Sequence, residues 1–274
     1  MLGATWAHFG LNLAQLEFKV APTAVQQTAE SAVRNHWSKG LFDTASGQTH
    51  QRTRARRTLG AQGHRLLIHG RDPQKLEQAS RKTAGVLETY LADLSNLEEV
   101  TLMCQEIKKS VTRLDSVINN AGVLQTSQTR TASNRDIRFE VNTVAPYLIT
   151  RELLPIINSD GNVVNLSSAA QRPVDMRALR EFKEMSDMEA YAQSKLAITA
   201  WSLAMGREFE GGPSVVAVNP GSLLATKMVK EGFGIEGNDV NIGSDILARF
   251  VNDPKYSRRT GEYFDNDSGR FAVS

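Results

Sequence analysis

The chain has 274 residues, 41% of them hydrophobic, enough to close one large α/β core or two small ones. Its 32 basic and 30 acidic side chains nearly cancel, so no whole-molecule field draws it to nucleic acid or to a membrane surface. Apolar runs such as Val215-Val216-Ala217-Val218 fall far short of the roughly 20 residues of a membrane-spanning helix. The lone Cys104 excludes an internal disulfide, which agrees with a reducing, cytoplasmic setting.

Residues 1–37 read as an N-terminal extension ahead of a domain at 38–274. Met1 to Val20 lacks the basic start and clean apolar segment of a secretory signal. Thr23 to Arg34 fits a short helix capped by Thr23, with Val25, Ala29, Ala32 and Val33 as a partial stripe. An accessory helix and an organelle presequence both suit that segment. The first strand, near residue 40, is a poor one, because Asp43 stands where a buried apolar residue is expected. Gln51 to Leu59 then carries Arg52, Arg54, Arg56 and Arg57 with little apolar stripe. Such a run suits a phosphate-binding patch or a solvated face. No aromatic residues interleave to stack bases, so a nucleic-acid partner is not expected.

From His64 onward strands and helices alternate. His64 to His69 is a short apolar strand ended by Gly70, and Asp72-Pro73 supplies a cap and an N1 proline for a helix to about Lys82. Val86 to Ala92 is the next strand. Ser95-Asn96-Leu97-Glu98 has the form of a capping box, followed by Leu97, Val100, Cys104 and Ile107 at helical spacing. Leu114 to Ile118 is a strand running into Asn119-Asn120-Ala121-Gly122. Ser133 to Ile157 reads as a long helix carrying Asn142, Gly161 to Leu166 as a strand, Met188 to Phe209 as a helix, and Ser214 to Asn219 as a strand stopped by Pro220-Gly221. A helix around Ser244 to Val251 and a strand near Gly261 to Phe264 complete the pattern. This alternation implies a doubly wound parallel sheet, Rossmann-like, whose ligands bind at the carboxyl ends of the strands.

Arg71, Asp93, Asn120, Ser168 and Pro220 fall just beyond five successive strand ends. Singly, each fits a plain turn or a helix cap; the order and the element types together make the pattern specific. Tyr191 and Lys195 lie four residues apart, on one face of a helix. An ammonium there favours the phenolate and lowers the tyrosine pKa from about 10 towards working pH, as general acid–base catalysis requires.

With these residues in place, the chain resembles the short-chain dehydrogenase/reductase family over about residues 38–268. The matching residues are Gly70-Arg71-Asp72, Ala92-Asp93-Leu94, Asn119-Asn120-Ala121-Gly122, Asn142, Ser168, Tyr191 with Lys195, and Pro220-Gly221 with Thr226. The retinol-reductase-like and related carbonyl-reducing branches look closest, because the interval from Ser168 to Tyr191 is longer than the family's usual one. The resemblance implies a catalytic tetrad of Asn142, Ser168, Tyr191 and Lys195 and hydride exchange between a nicotinamide cofactor and a small carbonyl or alcohol. In that scheme Lys195 would bind the nicotinamide ribose and tune Tyr191, and Asn142 would hold a water through its helix backbone. Pro220, Gly221, Leu223 and Thr226 would border the nicotinamide, while Asn120, Ala121 and Gly122 would pass close to the adenosine half. Asp93, with Leu94 beside it, would meet the adenine. Arg71 suits a 2′-phosphate, so NADP is expected ahead of NAD. No metal is implied, and a homodimer or homotetramer fits the family.

The added segment Arg172 to Asp187 places Met176, Leu179, Phe182 and Met185 every three residues, as an apolar lid or as a surface helix would. With the apolar residues near 222–235 it points to a lipophilic substrate. The departure from the family is at the front. A glycine-rich turn should follow the first strand and cradle the pyrophosphate with backbone N–H groups. Here Thr44-Ala45-Ser46-Gly47-Gln48-Thr49-His50 keeps only Gly47. Two readings follow: an NADP-dependent oxidoreductase, and a catalytically weak or inactive relative that serves in binding or assembly.

Overall fold

In the computed structural model the described residues are 40–44, 50–209, 211–222 and 239–272. The extension at 1–37 with its helix at Thr23–Arg34, and Gly47, Leu223 and Thr226, lie outside the described residues.

Hydrophobic strand runs build the centre. β6 (Ser214–Asn219) is buried along its whole length, the pattern of a parallel strand covered on both faces. Around it assemble β1 (Gly40–Thr44), β2 (Arg65–Gly70), β3 (Val86–Leu91), β4 (Leu114–Asn119), β5 (Ile157–Leu166), β7 (Glu262–Asp265) and β8 (Arg270–Phe271). The order is β3-β2-β1-β4-β5-β6-β7-β8, all parallel except the last pair. The winding reverses between β1 and β4, the switch point beyond whose carboxyl ends doubly wound sheets form their ligand crevice.

The first strand forms despite Asp43. Hydrogen bonding to β2 and β4 on its two sides places it inside the sheet, and Phe42 is fully buried. The following helix, α1 (His50–Ala61), buries Ala55 and Leu59, and its Arg56 is 4% exposed, whereas Arg54 and Arg57 face solvent. The arginine run is therefore not uniformly a solvated face. Ala55 and Leu59 pack with Leu66, Ile68, Val164, Val216 and Val218 of the sheet and with Ile246, Leu247 and Phe250 of α8 (Val240–Asn252).

Asp72 caps α2 (Pro73–Arg81) by accepting from Lys75 N at 3.0 Å. The cap of α3 (Leu97–Ser110) is Asn96 and not Ser95: Asn96 Oδ1 accepts from Glu98 N and Glu99 N, while Ser95 is drawn back to Asp93. The long helix starts at Ile137, four residues later than the sequence pattern implied, because Arg130 to Asp136 forms a closed turn and Asp136 takes the cap position. It runs from α4 (Ile137–Phe139) through a π turn, Glu140–Val144, into α5 (Ala145–Leu153). β5 begins at Ile157, earlier than Gly161. A second short piece, α6 (Met176–Arg180), precedes α7 (Asp187–Glu208), which Ser186 caps. α9 (Pro254–Ser257) leads into β7. A Cβ on Gly206 of α7 would lie 2.2 Å from Gly261 N, so only glycine lets that helix approach the strand beside β6.

Candidate active site

Side-chain hydrogen bonds join the polar residues at the end of β5 to those along α7. Lys195 Nζ donates to Leu166 O at 2.7 Å, one residue inside the Ser167-Ser168 pair, and lies 5.6 Å from the centroid of the Tyr191 ring. Ser167 Oγ donates to Lys195 O at 3.0 Å and meets Thr199 Oγ1 at 2.6 Å. Ser168, half-buried at the strand end, accepts from Ala170 N through its hydroxyl oxygen. Tyr191, on the same helix, is also half-buried.

Asn142 belongs to the π turn and is fully buried. Its amide accepts from Val123 N at 2.8 Å and donates to Val123 O at 2.9 Å and Ser194 Oγ at 2.9 Å. It thus ties the segment after β4 to the residue preceding Lys195. Ala145 N donates to Glu140 O, five residues back, which widens the helix where Asn142 sits. All four residues of the expected tetrad occupy one end of the sheet, with Asn142 and Lys195 connected through their neighbours.

The cofactor side is held differently. Arg71 is exposed beyond β2. Asp93 Oδ1 accepts from Ser95 N and Oγ at 2.9 and 2.8 Å, which fixes its carboxylate at the end of β3. Leu94 is 1% exposed, so its side chain belongs to the core and not to a ligand surface. Asn120 and Ala121 are buried and Gly122 is half-buried, small groups at the end of β4. Gly221 has φ +124°, a backbone that favours glycine, and its N–H donates to Asn219 Oδ1 at 3.3 Å. Within β2, His69 is fully buried. Its Nε2 lies 2.8 Å from Ala92 O and its Nδ1 has no partner; burial pulls its pKa down to about 4, so the ring is neutral near pH 7.

Two features of the site were not foreseen from the sequence. Arg138 is wholly buried and its guanidinium binds Asp136 at 2.6 Å, Leu124 O at 3.3 Å and Asp187 in the first turn of α7. Burial opposes its charge, but the two carboxylates outweigh that and raise its pKa. The second is the β7–β8 turn. Asn266 and Asp267 reach back to Pro220 and Ser222, and Tyr263 reaches the Ser168 carbonyl. Contacts across 45 or more residues leave no local pattern to read. The expected lid helix forms only over Met176–Arg180, and Glu181 turns extended. Met176, Leu179, Phe182 and Met185 are all half-buried. The segment is fastened to α7, where Gln193 accepts from Asp175 N at 2.8 Å and donates to Met185 Sδ at 3.5 Å.

Among the described residues no group of three His, Cys, Asp or Glu side chains could hold a metal, and no helix is long and apolar enough to cross a membrane.

A family model described as short chain dehydrogenase matches residues 53–234. Human retinol dehydrogenase 13 is 29% identical over 174 residues, 60% of this chain and 53% of that protein. Bovine retinol dehydrogenase 12 is 30% identical over 188 residues, 65% of this chain and 59% of that protein. The chain spans about half the length of these curated relatives. The oxidoreductase yciK of E. coli superposes with a TM-score of 0.64 at 25% identity, over 84% of this chain and 95% of that one. The chain belongs to the short-chain dehydrogenase family.

Proposed function

We propose that the chain is an NADP-dependent oxidoreductase that reduces a carbonyl or oxidises an alcohol on a lipophilic small molecule, with Tyr191 as the acid/base. The placement of Lys195 carries this reading: its ammonium is anchored at Leu166 O beside Ser168 and stands against the Tyr191 ring. A reduced nicotinamide, when bound, supplies the hydride. Tyr191 gives its phenolic proton to the oxygen that gains charge, and the nearby ammonium favours the phenolate left behind. The Ser168 hydroxyl bonds the same oxygen and holds it in line. Asn142 keeps α7 and the β4 segment in register.

The residues present suit NADP. Arg71 is an exposed guanidinium where the adenosine ribose is read, and no carboxylate lies between Thr44 and Arg71 to bind a 2′-hydroxyl. The small Ala121 and Gly122 leave room for close approach, and Asp93 offers an acceptor to the adenine amino group. The half-buried Met176, Leu179, Phe182 and Met185 favour a lipophilic substrate, in keeping with the retinol dehydrogenases among the relatives.

The test is NADPH oxidation by purified protein with a series of aliphatic and polyene aldehydes, set against Tyr191→Phe. The substitution is expected to lower turnover by about 10²–10⁴-fold with the fold retained. Equal turnover in the two proteins would remove Tyr191 from its role. A second reading, a weak or inactive binding protein, is favoured by one observation: the family match starts at residue 53, after the stretch where the pyrophosphate turn belongs, and that stretch keeps only Gly47. No NADPH-dependent turnover with any of these aldehydes, together with no NADPH binding up to concentrations well above about 10 mM, would select it.

A further inference from the structure

β6 and β7 run parallel, with Asn219 opposite Asp265, so the turn after β7 arrives beside the turn after β6. The two are stapled together. Asn266 N donates to Asn219 O at 3.1 Å, and Asn266 Nδ2 donates to Pro220 O at 2.9 Å. Asp267 Oδ1 accepts from Ser222 N at 2.8 Å; its Oδ2 accepts from Asn219 Nδ2 at 2.9 Å and from Ser222 Oγ. Asp265 Oδ1 accepts from Asn219 Nδ2 at 2.8 Å. One carboxylate therefore gathers three donors from a segment 45 to 48 residues away, and bonds to an ionised acceptor are the stronger kind.

The same strand holds the opposite wall. Tyr263, four residues before Asp267, donates its hydroxyl to Ser168 O at 3.1 Å. Burial raises its pKa, with the Asp265 charge adding to the effect, so the phenol stays a donor across the working range. Residues 219–222 contain Gly221 at φ +124°, a conformation that glycine permits but does not enforce. What enforces it is the pair of anchors on either side: Asn219 through Asp265 and Asp267, and Ser222 through Asp267.

We infer that Asp267 is a positioning residue, acting through Ser222 and Asn219, and that with Asn266 and Tyr263 it sets the Pro220–Ser222 wall of the crevice at a fixed distance from Ser168. The inference rests on the proposed function, in which that wall borders the nicotinamide. A displacement of about 1 Å between reacting groups costs on the order of 10²-fold in rate, so a staple holding both walls acts on the hydride step more than on substrate capture.

The experiment uses the full chain and Asp267→Asn, Ser222→Ala, their double variant, Asp267→Glu and Tyr263→Phe. NADPH dissociation constants come from fluorescence titration. The kcat and KM for an accepted aldehyde and the primary isotope effect with 4-deuterated NADPH come from initial rates. Asp267→Asn keeps the shape but turns one acceptor into a donor, and is expected to lower kcat by about 10–100-fold. NADPH binding should weaken by about 10-fold, aldehyde KM should change little, and the isotope effect should rise towards its intrinsic value. Ser222→Ala should do the same to a smaller degree, and the double variant should be no worse than Asp267→Asn alone, the mark of one shared interaction. Asp267→Glu should recover part of the loss.

Unchanged NADPH affinity and isotope effect in Asp267→Asn would overturn the inference, as would independent, additive losses in the double variant. If Asp267→Asn does not fold, Ser222→Ala and Tyr263→Phe decide, and unchanged constants in both would overturn it. Failure of the unmodified chain to bind NADPH and reduce any aldehyde would instead overturn the proposed function, and the inference with it.

Discussion

Between β4 and α7 the candidate reaction centre is held by buried side-chain bonds, Asn142 to Val123 and Ser194, Lys195 to Leu166 O, Ser167 to Lys195 O. Between β1 and β2 the polar residues are of another kind. Arg54 and Arg57 face solvent, as does Arg71 just beyond β2, and the stretch that should bring backbone N–H groups to a pyrophosphate carries Ala45 and the side chains of Gln48 to His50. One half of the crevice is organised before any ligand arrives. The other carries exposed charge and a sequence without the glycine-rich turn, and exposed charge is screened by salt whereas a shaped backbone cradle is not. The two halves should therefore fail separately: the first in turnover, the second in cofactor affinity.

The most direct way to break that contrast is to give the second half a cradle. Loss of two charge-assisted backbone hydrogen bonds costs roughly 3–6 kcal/mol, so NADPH affinity in the unmodified chain should lie about 10²–10⁴-fold below micromolar binding and fall further with salt. Rebuilding residues 44–51 as a glycine-rich turn should recover most of it, measured by titration at two ionic strengths. Tight, salt-insensitive binding by the unmodified chain would erase the contrast.

A smaller effect concerns stability. The folded-state pKa of His69 is about 4, below the ordinary value of 6.5, because burial disfavours its charged form. Between pH 6.5 and 4 the unfolded chain therefore binds the proton that the folded chain refuses. The stabilisation is complete above pH 6.5 and is lost as pH falls, by about 3 kcal/mol at pH 4. Urea unfolding across that window should show the slope in the unmodified protein and a flatter one in His69→Asn.

The smallest effect sharpens cofactor choice. Arg71→Ala should cut the preference for NADPH over NADH by about 10-fold, the scale of one exposed charge-assisted contact. An unaltered ratio would pass the role to α1, where Arg54 and Arg57 are also exposed.

Much of this molecule was legible from local pattern. The buried Val-rich run of β6, the Asp72-Pro73 start of α2 and the Tyr191/Lys195 spacing each state their structure within a few residues. What stayed hidden depends on distant partners. β1 is a strand because β2 and β4 flank it, which a window containing Asp43 cannot register. Ser95 and Asn96 both cap helices well, and only Asp93, which takes the Ser95 hydroxyl, decides between them. Arg138 looks like a surface residue until Asp187, 49 positions on, is placed beside it. The turn at Asn266 and Asp267 is an ordinary polar loop in sequence, and its grip on Ser222 exists only once β6 and β7 lie parallel.

The π turn at Glu140–Val144 makes the length of this helix as important as its composition. A π turn accommodates one residue more than an α-helix would over the same span. Deleting a single residue between Phe139 and Ala145 would let the helix close towards a regular α spiral, apart from the N–H that Pro146 lacks, a change that secondary-structure content would scarcely register. It would also rotate one side of the helix against the other by about 100°. Asn142 would then leave Val123 and Ser194, and Trp201 Nε1 would lose Thr143 Oγ1, now 3.0 Å away. In this segment a one-residue deletion is the more regular helix and the more disordered site, so natural variation here should tolerate substitution far better than any change in the residue count.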